Sequence, residues 1–465
     1  MEEQLASPAR LTQYIAGFSA SLGALGMGTV IGYSSPALPY LTGNATDTVH
    51  LDPQEAMWFS SILNVGALIG GPVAGVCMNN IGRRGTMIAS IIPFLLGWGL
   101  IGFGENFIML LAGRILTGMC CGIVSLVVNV YIGEFASPDI RGALGTGFQL
   151  LVVTGVLYSF AFGAFLSWRM LVIACIVVPC LFAGLMLLGK ESPVYLLIKG
   201  RCEEAKTSLQ YFRGKNYPVD DEFKEMRQSV NLAMQNKIQL SDLLKPYYLK
   251  PMGISLMLMF YQQFSGINAI MFNLVTIFET TGSSMSTTLS SCLVALVQVV
   301  GTFSASLLMD RAGRKILLIT SATLMAASLF SIGAFFYLLE YNESVAEKIT
   351  FVPLLSLIVF IAAFSIGYGP VPFLMMGELF SPEVREVAGS IAIAANWTSS
   401  FIVTLMFQPM QAVIHNYGVY WVFGSICVTN LIFSILVVPE TKGKTLDEIS
   451  IMFGAPAKSP PIAVV

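Results

Sequence analysis

The sequence predicts an all-α membrane protein, with twelve transmembrane helices in two six-helix halves and a cytosolic helical insert between them. Three observations predict it. Of 465 residues, 55% are hydrophobic and only 11% charged, and the mean hydropathy is +0.74. Soluble domains carry about 25% charged residues, so too few charges remain here to coat a water-facing surface, and lipid must solvate much of the chain. Apolar runs of the roughly 20 residues needed to cross a bilayer recur from one end to the other. Two charged motifs occur twice. Glu134-Phe135-Ala136-Ser137-Pro138-Asp139-Ile140-Arg141 returns as Glu378-Leu379-Phe380-Ser381-Pro382-Glu383-Val384-Arg385, at an offset of 378 − 134 = 244. Gly82-Arg83-Arg84 returns as Gly313-Arg314-Lys315, at 313 − 82 = 231. Six spans separate the copies, which describes two halves of the same orientation.

The first six spans fall near residues 14–40, 56–78, 86–104, 108–133, 144–166 and 169–188. The first apolar run, Leu11 to Leu41, holds no charged residue and is too long for a signal-peptide core, so it reads as a retained span. The second six fall near 251–275, 286–309, 316–339, 351–377, 388–411 and 416–437. The expected divisions are 1–190 for the first half, 191–248 for the insert, 249–438 for the second half and 439–465 for a cytosolic tail. The insert is charged and polar. Ser192-Pro193 opens it as an N-cap followed by a first-turn proline, and Gly200 and Gly214 punctuate short amphipathic helices.

Arg83, Arg84, Arg141, Arg311, Arg314, Lys315 and Arg385 occupy alternate short loops, on the same side as the insert and as Lys442 and Lys444. The opposite loops hold chiefly Arg169 and Lys348. The positive-inside rule then places both termini and the insert in the cytosol. The sequons at Asn44 and Asn342 fall in outside loops, as glycosylation would require. Seven of the eight cysteines lie in apolar runs and the eighth, Cys202, in a charged loop. They read as reduced packing residues, with no disulfide framework. Nothing in the net charge of −2 or its distribution suggests nucleic acid as a partner. No span carries paired His, Glu or Ser–Lys sets for hydrolysis or metal binding. The chain is therefore expected to be no enzyme and to hold neither metal nor cofactor.

Several groups remain that lipid cannot solvate. Gln149, Gln262, Gln263, Asn268 and Asn396 are amides inside spans. A buried amide without a partner costs a few kcal/mol, so each faces either another helix or an aqueous cavity. Interhelical pairing is worth about 0.6–2 kcal/mol. An amide both donates and accepts hydrogen bonds, so it can serve a neutral polar ligand as well as another helix. Gly367, Gly369, Pro370 and Pro372 crowd the tenth span. Such a break is tolerated only inside protein or beside a cavity, and reads as a packing kink or a flexible hinge. Glu134 and Glu378 add nothing to the positive-inside rule yet recur at equivalent places. They suggest ion pairs with Arg83, Arg84, Arg141, Arg314 and Arg385 that bias a two-state equilibrium. Arg114 lies within the fourth span, a costly place for a charge, with no partner nameable from sequence.

The motifs taken in order are recognisable. Gly82-Arg83-Arg84, Glu134 to Arg141, Glu191-Ser192-Pro193, Gln262 to Asn268, Asp310 to Arg314, Gly369-Pro370-Val371-Pro372, Asn396-Trp397 and Pro439-Glu440-Thr441-Lys442-Gly443 together resemble the sugar porter family of the major facilitator superfamily, along nearly the whole chain. Facilitative glucose carriers of animals and insect trehalose carriers are the most similar. The resemblance implies a major facilitator fold with the substrate between the halves near the midplane. It implies sugar contacts by Gln149, Gln262, Gln263, Asn268, Asn273 and Asn396, with Trp397 as a stacking surface rather than an interfacial anchor. Phe373 stands where the family usually has Trp, Asn79 where it has Asp, Phe272 and Asn273 where two tyrosines are common, and Ala295 where hexose carriers carry Asn. Proton symporters of the family carry an acid in the first span, where Ser34 and Ser35 follow Gly32-Tyr33 here, and His50 and His415 lie at span ends. The expectation is a uniporter of a neutral hexose or trehalose, a monomer in the plasma membrane. The alternatives are a proton-coupled symporter, a sugar-sensing receptor with a carrier fold, and an endosomal or lysosomal location.

Overall fold

The computed structural model describes residues 10–43, 49–235, 245–281, 286–380, 384–444 and 446–454. The sequon at Asn44 lies outside them. Asn342 is exposed, just past the end of its helix. Among the described residues the secondary structure is entirely helical.

The N-terminal helices are α1 (Arg10–Thr42), α2 (Pro53–Ala89), α3 (Ile91–Gly102), α4 (Phe107–Phe135), α5 (Pro138–Gly163) and α6 (Trp168–Leu188). The insert supplies α7 (Pro193–Ile198), α8 (Cys202–Arg213) and α9 (Asp220–Gln235). There follow α10 (Pro246–Phe264), α11 (Ile267–Phe272), α12 (Leu274–Thr280), α13 (Thr287–Ala312), α14 (Arg314–Tyr341), α15 (Glu343–Ala346), α16 (Val352–Ile366), α17 (Val371–Leu379), α18 (Arg385–Leu436) and α19 (Leu446–Met452). Local chemistry starts several of them. Asp52 and Glu55 form a reciprocal capping box before α2, and Asn106, Ser167 and Ser192 cap α4, α6 and α7.

Nine stretches among the described residues are long and apolar enough to cross a membrane. Two of these, Pro53–Gly102 and Val387–Leu436, are 50 residues long. At ~1.5 Å per residue each would reach about 75 Å, more than twice a hydrocarbon core. The backbone breaks both: Gly82 takes φ 83° and His415 takes φ 59°. Each stretch is thus two crossings. One more crossing is made of α10, α11 and α12, interrupted at Gly266 (φ 87°) and at Asn273. This gives 9 + 2 + 1 = 12 crossings among the described residues, at the places the apolar runs predict.

The helices gather into two compact units. The first comprises Met1–Gln235, Asn268–Val300 and Ser400–Pro409. The second comprises Asn236–Ile267, Gly301–Ser399 and Met410–Val465. Lipid tails are as apolar as leucine, so close backbone approach, not hydrophobic exclusion, holds such helices together. In the first unit α1 meets α5 at Gly28 and Gly155, and α2 meets α4 at Gly66, Gly70, Gly118 and Gly122. A Cβ at any of these would lie 2.0–2.2 Å from a carbonyl oxygen of the facing helix. Gly118→Val should therefore force α2 and α4 apart and cost a few kcal/mol or more. Size-exclusion profiles and thermal unfolding in detergent should show loss of most folded protein. A variant as stable as the parent would mean the seam is not needed.

Candidate functional site

The polar groups of the second unit converge on a broken helix. After Ile366 the chain leaves helical geometry at Gly367 (φ −119°, ψ −81°), and α17 restarts behind Pro370. Gly367 cannot be larger, because a Cβ there would stand 2.4 Å from the Ser321 Cβ and 2.6 Å from the Leu317 carbonyl. Tyr368 is fully buried and its hydroxyl bonds to Asn430 and Ser434. The break frees the carbonyls of Tyr368 and Gly369, and the side-chain amide of Gln262 donates to both, at 2.8 and 2.9 Å. Asn396 donates to the Gln262 Oε1 (2.6 Å), and Gln263 donates to the Asn396 Oδ1 (3.0 Å). All three amides are buried. Of the expected hinge, Gly367, Gly369, Pro370 and Pro372, the carbonyl of Gly369 is thus tied into a network of three of the expected sugar amides. The two rings of this unit named from the sequence are not closed over. Phe373 is 40% exposed and Trp397 half-buried.

In the first unit the amides are spread out. Asn268 donates to the Ser400 Oγ (2.9 Å), Ser400 donates to the Asn64 Oδ1 (2.9 Å), and Asn64 donates to the Thr404 Oγ1 (3.2 Å). Asn64 and Ser400 are fully buried. The Ser35 hydroxyl accepts the Val275 N–H (3.1 Å), one of the unsatisfied donors at the start of α12. Asn273 bends back to its own helix, donating to the Ala269 carbonyl (2.8 Å). Gln149 is half-buried and makes no side-chain hydrogen bond to the described residues. Reading the sequence missed two amides here. Asn64 sits in the second span. Gln298, one turn from the fully buried Ala295, has a buried carbonyl oxygen with no partner among the described residues. An amide in an apolar span was the available signal for both.

Arg114 is completely buried. It donates to the carbonyls of Phe59 (3.2 Å) and Val30 (2.9 Å) and to the Ser34 Oγ (2.5 Å), and lies 5.1 Å from the Phe59 ring and 6.0 Å from the Tyr33 ring. Its partner, open in the sequence, is a set of neutral oxygens from α1 and α2. No ion pair to Arg114 occurs among the described residues.

The duplicated charges form the same cluster twice. In the first unit Arg83 grips Glu134 through Nε and Nη2 (2.7–3.1 Å), Ser192 donates its hydroxyl to Glu134, and Glu191 accepts the backbone N–H groups of Arg83 and Arg84 at 3.0–3.1 Å. In the second, Arg314 grips Glu378 (2.9 and 3.1 Å), Thr441 donates to Glu378, and Glu440 accepts the N–H groups of Arg314 and Lys315 (3.0 and 3.1 Å). Each arginine also donates to the carbonyl five residues before it, at Met78 and Met309. A carboxylate suits the positive end of a helix. Gly82 and Gly313, both at positive φ, leave room for it: a Cβ there would meet Glu191 at 2.3 Å or Glu440 at 2.7 Å. Arg84 donates to the Met186 and Leu187 carbonyls, and Arg141 and Arg385 to the carbonyls of Ala136 and Phe380. Glu191 and Glu440 were not expected in the clusters, though each opens an acid–hydroxyl pair directly after the last span of its half. Burial works to raise the Glu440 carboxyl, but backbone N–H groups of Lys442, Arg314, Lys315 and Thr441 outweigh it and hold it below the ordinary carboxylate range. The stabilisation from Glu440 is therefore complete above its unfolded pKa and lost only as pH falls through the lower folded value.

The chain matches the family described as Sugar (and other) transporter over residues 17–453. It is 40% identical over 457 residues to the facilitated trehalose transporter Tret1 of Apis mellifera ligustica, covering 97% of this chain and 90% of that one. It is 39% identical to Tret1 of Bombyx mori, covering 94% and 86%. Tret1 of Drosophila pseudoobscura pseudoobscura is 42% identical over 94% of this chain, which spans only 51% of that protein's length. Among solved structures, the proton:xylose symporter XylE bound to 6-bromo-6-deoxy-D-glucose superposes with a TM-score of 0.77 at 26% identity, covering 96% and 99% of the two chains. The inward-open conformation of XylE from E. coli gives 0.78 at 25%, covering 95% and 99%.

Proposed function

The chain belongs to the sugar (and other) transporter family, and we propose that it carries a neutral sugar, a hexose or trehalose, down its gradient by alternating access, without coupling to protons and without enzymatic activity. The buried set of Gln262, Gln263 and Asn396 carries the reading. It consists of uncharged groups that both donate and accept, the complement of a hydroxylated and uncharged ligand. Gln149, Asn268 and Asn273 are further candidate contacts, and the open faces of Trp397 and Phe373 suit the apolar C–H face of a sugar ring. The trehalose transporters among the relatives favour a disaccharide as substrate.

The likeness to a proton:xylose symporter raises the second reading, symport. Against it stands Arg114, whose partners are a serine hydroxyl and two carbonyls, groups that do not titrate. His415 pairs with Glu340 at 3.1 Å, on exposed side chains. The test is uptake of labelled glucose and labelled trehalose in transporter-deficient cells, at acidic and neutral external pH, with and without a protonophore. Saturable uptake indifferent to the protonophore is expected. Uptake that the protonophore abolishes would establish symport, and no uptake from protein shown at the surface would remove the carrier reading in favour of a sensor.

The positive-inside pattern supports both termini and the insert lying in the cytosol, and the plasma membrane is the proposed location. The Arg83–Glu134 and Arg314–Glu378 clusters would then sit at the cytosolic ends of the spans, where they bias the conformational equilibrium without touching sugar. Glu378→Ala leaves Arg314 without its carboxylate. It should lower the transport rate about tenfold while equilibrium sugar affinity changes less than about twofold. Unchanged turnover at normal surface abundance would remove the gating role.

A further inference from the structure

Two helices of the first unit carry, beside the expected sugar contact Gln149, polar groups that packing does not explain. Asn129 of α4 is exposed, although it lies inside a candidate span. Its amide nitrogen donates to the Ser125 carbonyl one turn back (2.8 Å), and its carboxamide oxygen has no partner among the described residues. Ser125 is half-buried and bonds back to the Gly122 carbonyl (2.9 Å). Gly133, one turn past Asn129, is exposed with no atom near its missing side chain. On α5, Gly142, Thr146 and Gln149 recur at helical spacing. Thr146 bonds only to its own helix, and Gly142, Gly145 and Gly147 again have no neighbour where a Cβ would stand. These glycines contrast with Gly118 and Gly122 of α4 and Gly155 of α5, each closed against a facing backbone.

An exposed amide within a span faces lipid or water. Lipid leaves the free oxygen of Asn129 unsatisfied, at a cost of about 1–3 kcal/mol, and polar side chains in spans almost always face protein or a water-filled cavity. The depth fits water. From Glu134, Asn129 is 134 − 129 = 5 residues inward and Ser125 is 9, or about 8 and 14 Å along the axis. From Pro138, Thr146 is 8 residues inward and Gln149 is 11, or about 12 and 16 Å. The groups are graded from the arginine-bearing helix ends to the depth of Gln149.

We propose that this strip of α4 and α5 is a second sugar subsite on the cytosolic exit path, and that Asn129 is its specific contact, accepting a sugar hydroxyl on its free oxygen. The bare glycines place no side chain in the way of a sugar ring along this strip. The subsite rests on the reading of the protein as a sugar carrier. It serves the substrate only when the protein is open to the cytosol, so it sets the half-saturation for exit and leaves that for uptake alone. A carrier without an energy source must keep the same ratio of maximal rate to half-saturation in both directions, so losing the subsite raises both terms for exit together.

The test compares wild type, Asn129→Val and Asn129→Gln in transporter-deficient cells, with surface abundance measured for each. Labelled trehalose and labelled glucose are followed in uptake and, from preloaded cells, in exit. For the transported sugar, Asn129→Val is expected to raise the half-saturation for exit about fivefold, the equivalent of one neutral hydrogen bond, and to leave that for uptake within about twofold. Asn129→Gln, which keeps the amide, should stay near wild type. Half-saturations that are unchanged in both directions, or that shift equally in both, would overturn the subsite while leaving the carrier intact. A wild-type protein at the surface that moves neither sugar would overturn the carrier reading itself, and the subsite with it.

Discussion

Gln262→Leu should reduce sugar transport at least about tenfold at equal surface abundance. Gln262 donates both amide hydrogens to the carbonyls that the break between α16 and α17 releases, and accepts the amide of Asn396. Leucine fills a similar volume but leaves two buried carbonyls and one buried amide without these bonds. Each such loss costs about 1–3 kcal/mol, and 1.4 kcal/mol is tenfold in an equilibrium. The penalty falls on the segment from Gly367 to Pro370, so the geometry of the break changes along with the sugar contact. Gln262 has no free donor in this arrangement. A sugar hydroxyl can reach it only by donating to the remaining lone pair of Oε1 or by displacing a carbonyl, and the second route would couple binding to movement of the break. Gln262→Glu retains the acceptors and loses donors, so it should be impaired nearly as severely. Uptake within about twofold of wild type for Gln262→Leu would show that neither the break nor the sugar depends on this side chain.

The second large effect concerns Ser34. Its hydroxyl is the only side-chain oxygen on Arg114 among the described residues, at 2.5 Å. Ser34→Asp would put a carboxylate beside a guanidinium that is now held by neutral groups. A buried ion pair forms or dissolves with protonation of its acid, and breaking one by removing a partner costs about 3–5 kcal/mol. Wild-type uptake should be flat across mildly acidic and neutral external pH. In Ser34→Asp it should become pH-dependent, higher in acid, where protonation releases the pair, and lower at neutral pH, where the pair holds α1 to α4. The measurement is the initial rate of labelled-sugar uptake against external pH for both proteins, normalised to surface abundance. A flat profile in the variant would mean that this position does not control the cycle.

Much of the architecture is legible in the sequence, and the reasons are physical. Lipid is a uniform solvent, so composition and the length of apolar runs determine that the chain spans a membrane and where it crosses. A charge or amide is expensive there, so Gln149, Gln262, Gln263, Asn268, Asn396 and Arg114 stood out by type alone. The duplicated Glu134-to-Arg141 and Gly82-Arg83-Arg84 motifs declared two equivalent halves, and the pairs Arg83–Glu134 and Arg314–Glu378 follow them. Partners were another matter. Arg114 is satisfied by the carbonyls of Val30 and Phe59, and Gln262 by those of Tyr368 and Gly369. A backbone carbonyl is the same group at every residue, so no sequence pattern marks which one a side chain will find. Nor does spacing reveal that Glu191 and Glu440 reach back over 100 residues to the helix starts after Gly82 and Gly313. Composition and pattern specify the solvent, the crossings, the duplication and the kinds of groups available. Which groups meet is a property of the packed chain, because hydrogen bonding is set by position and direction, and those arise when helices from distant parts of the chain pack together.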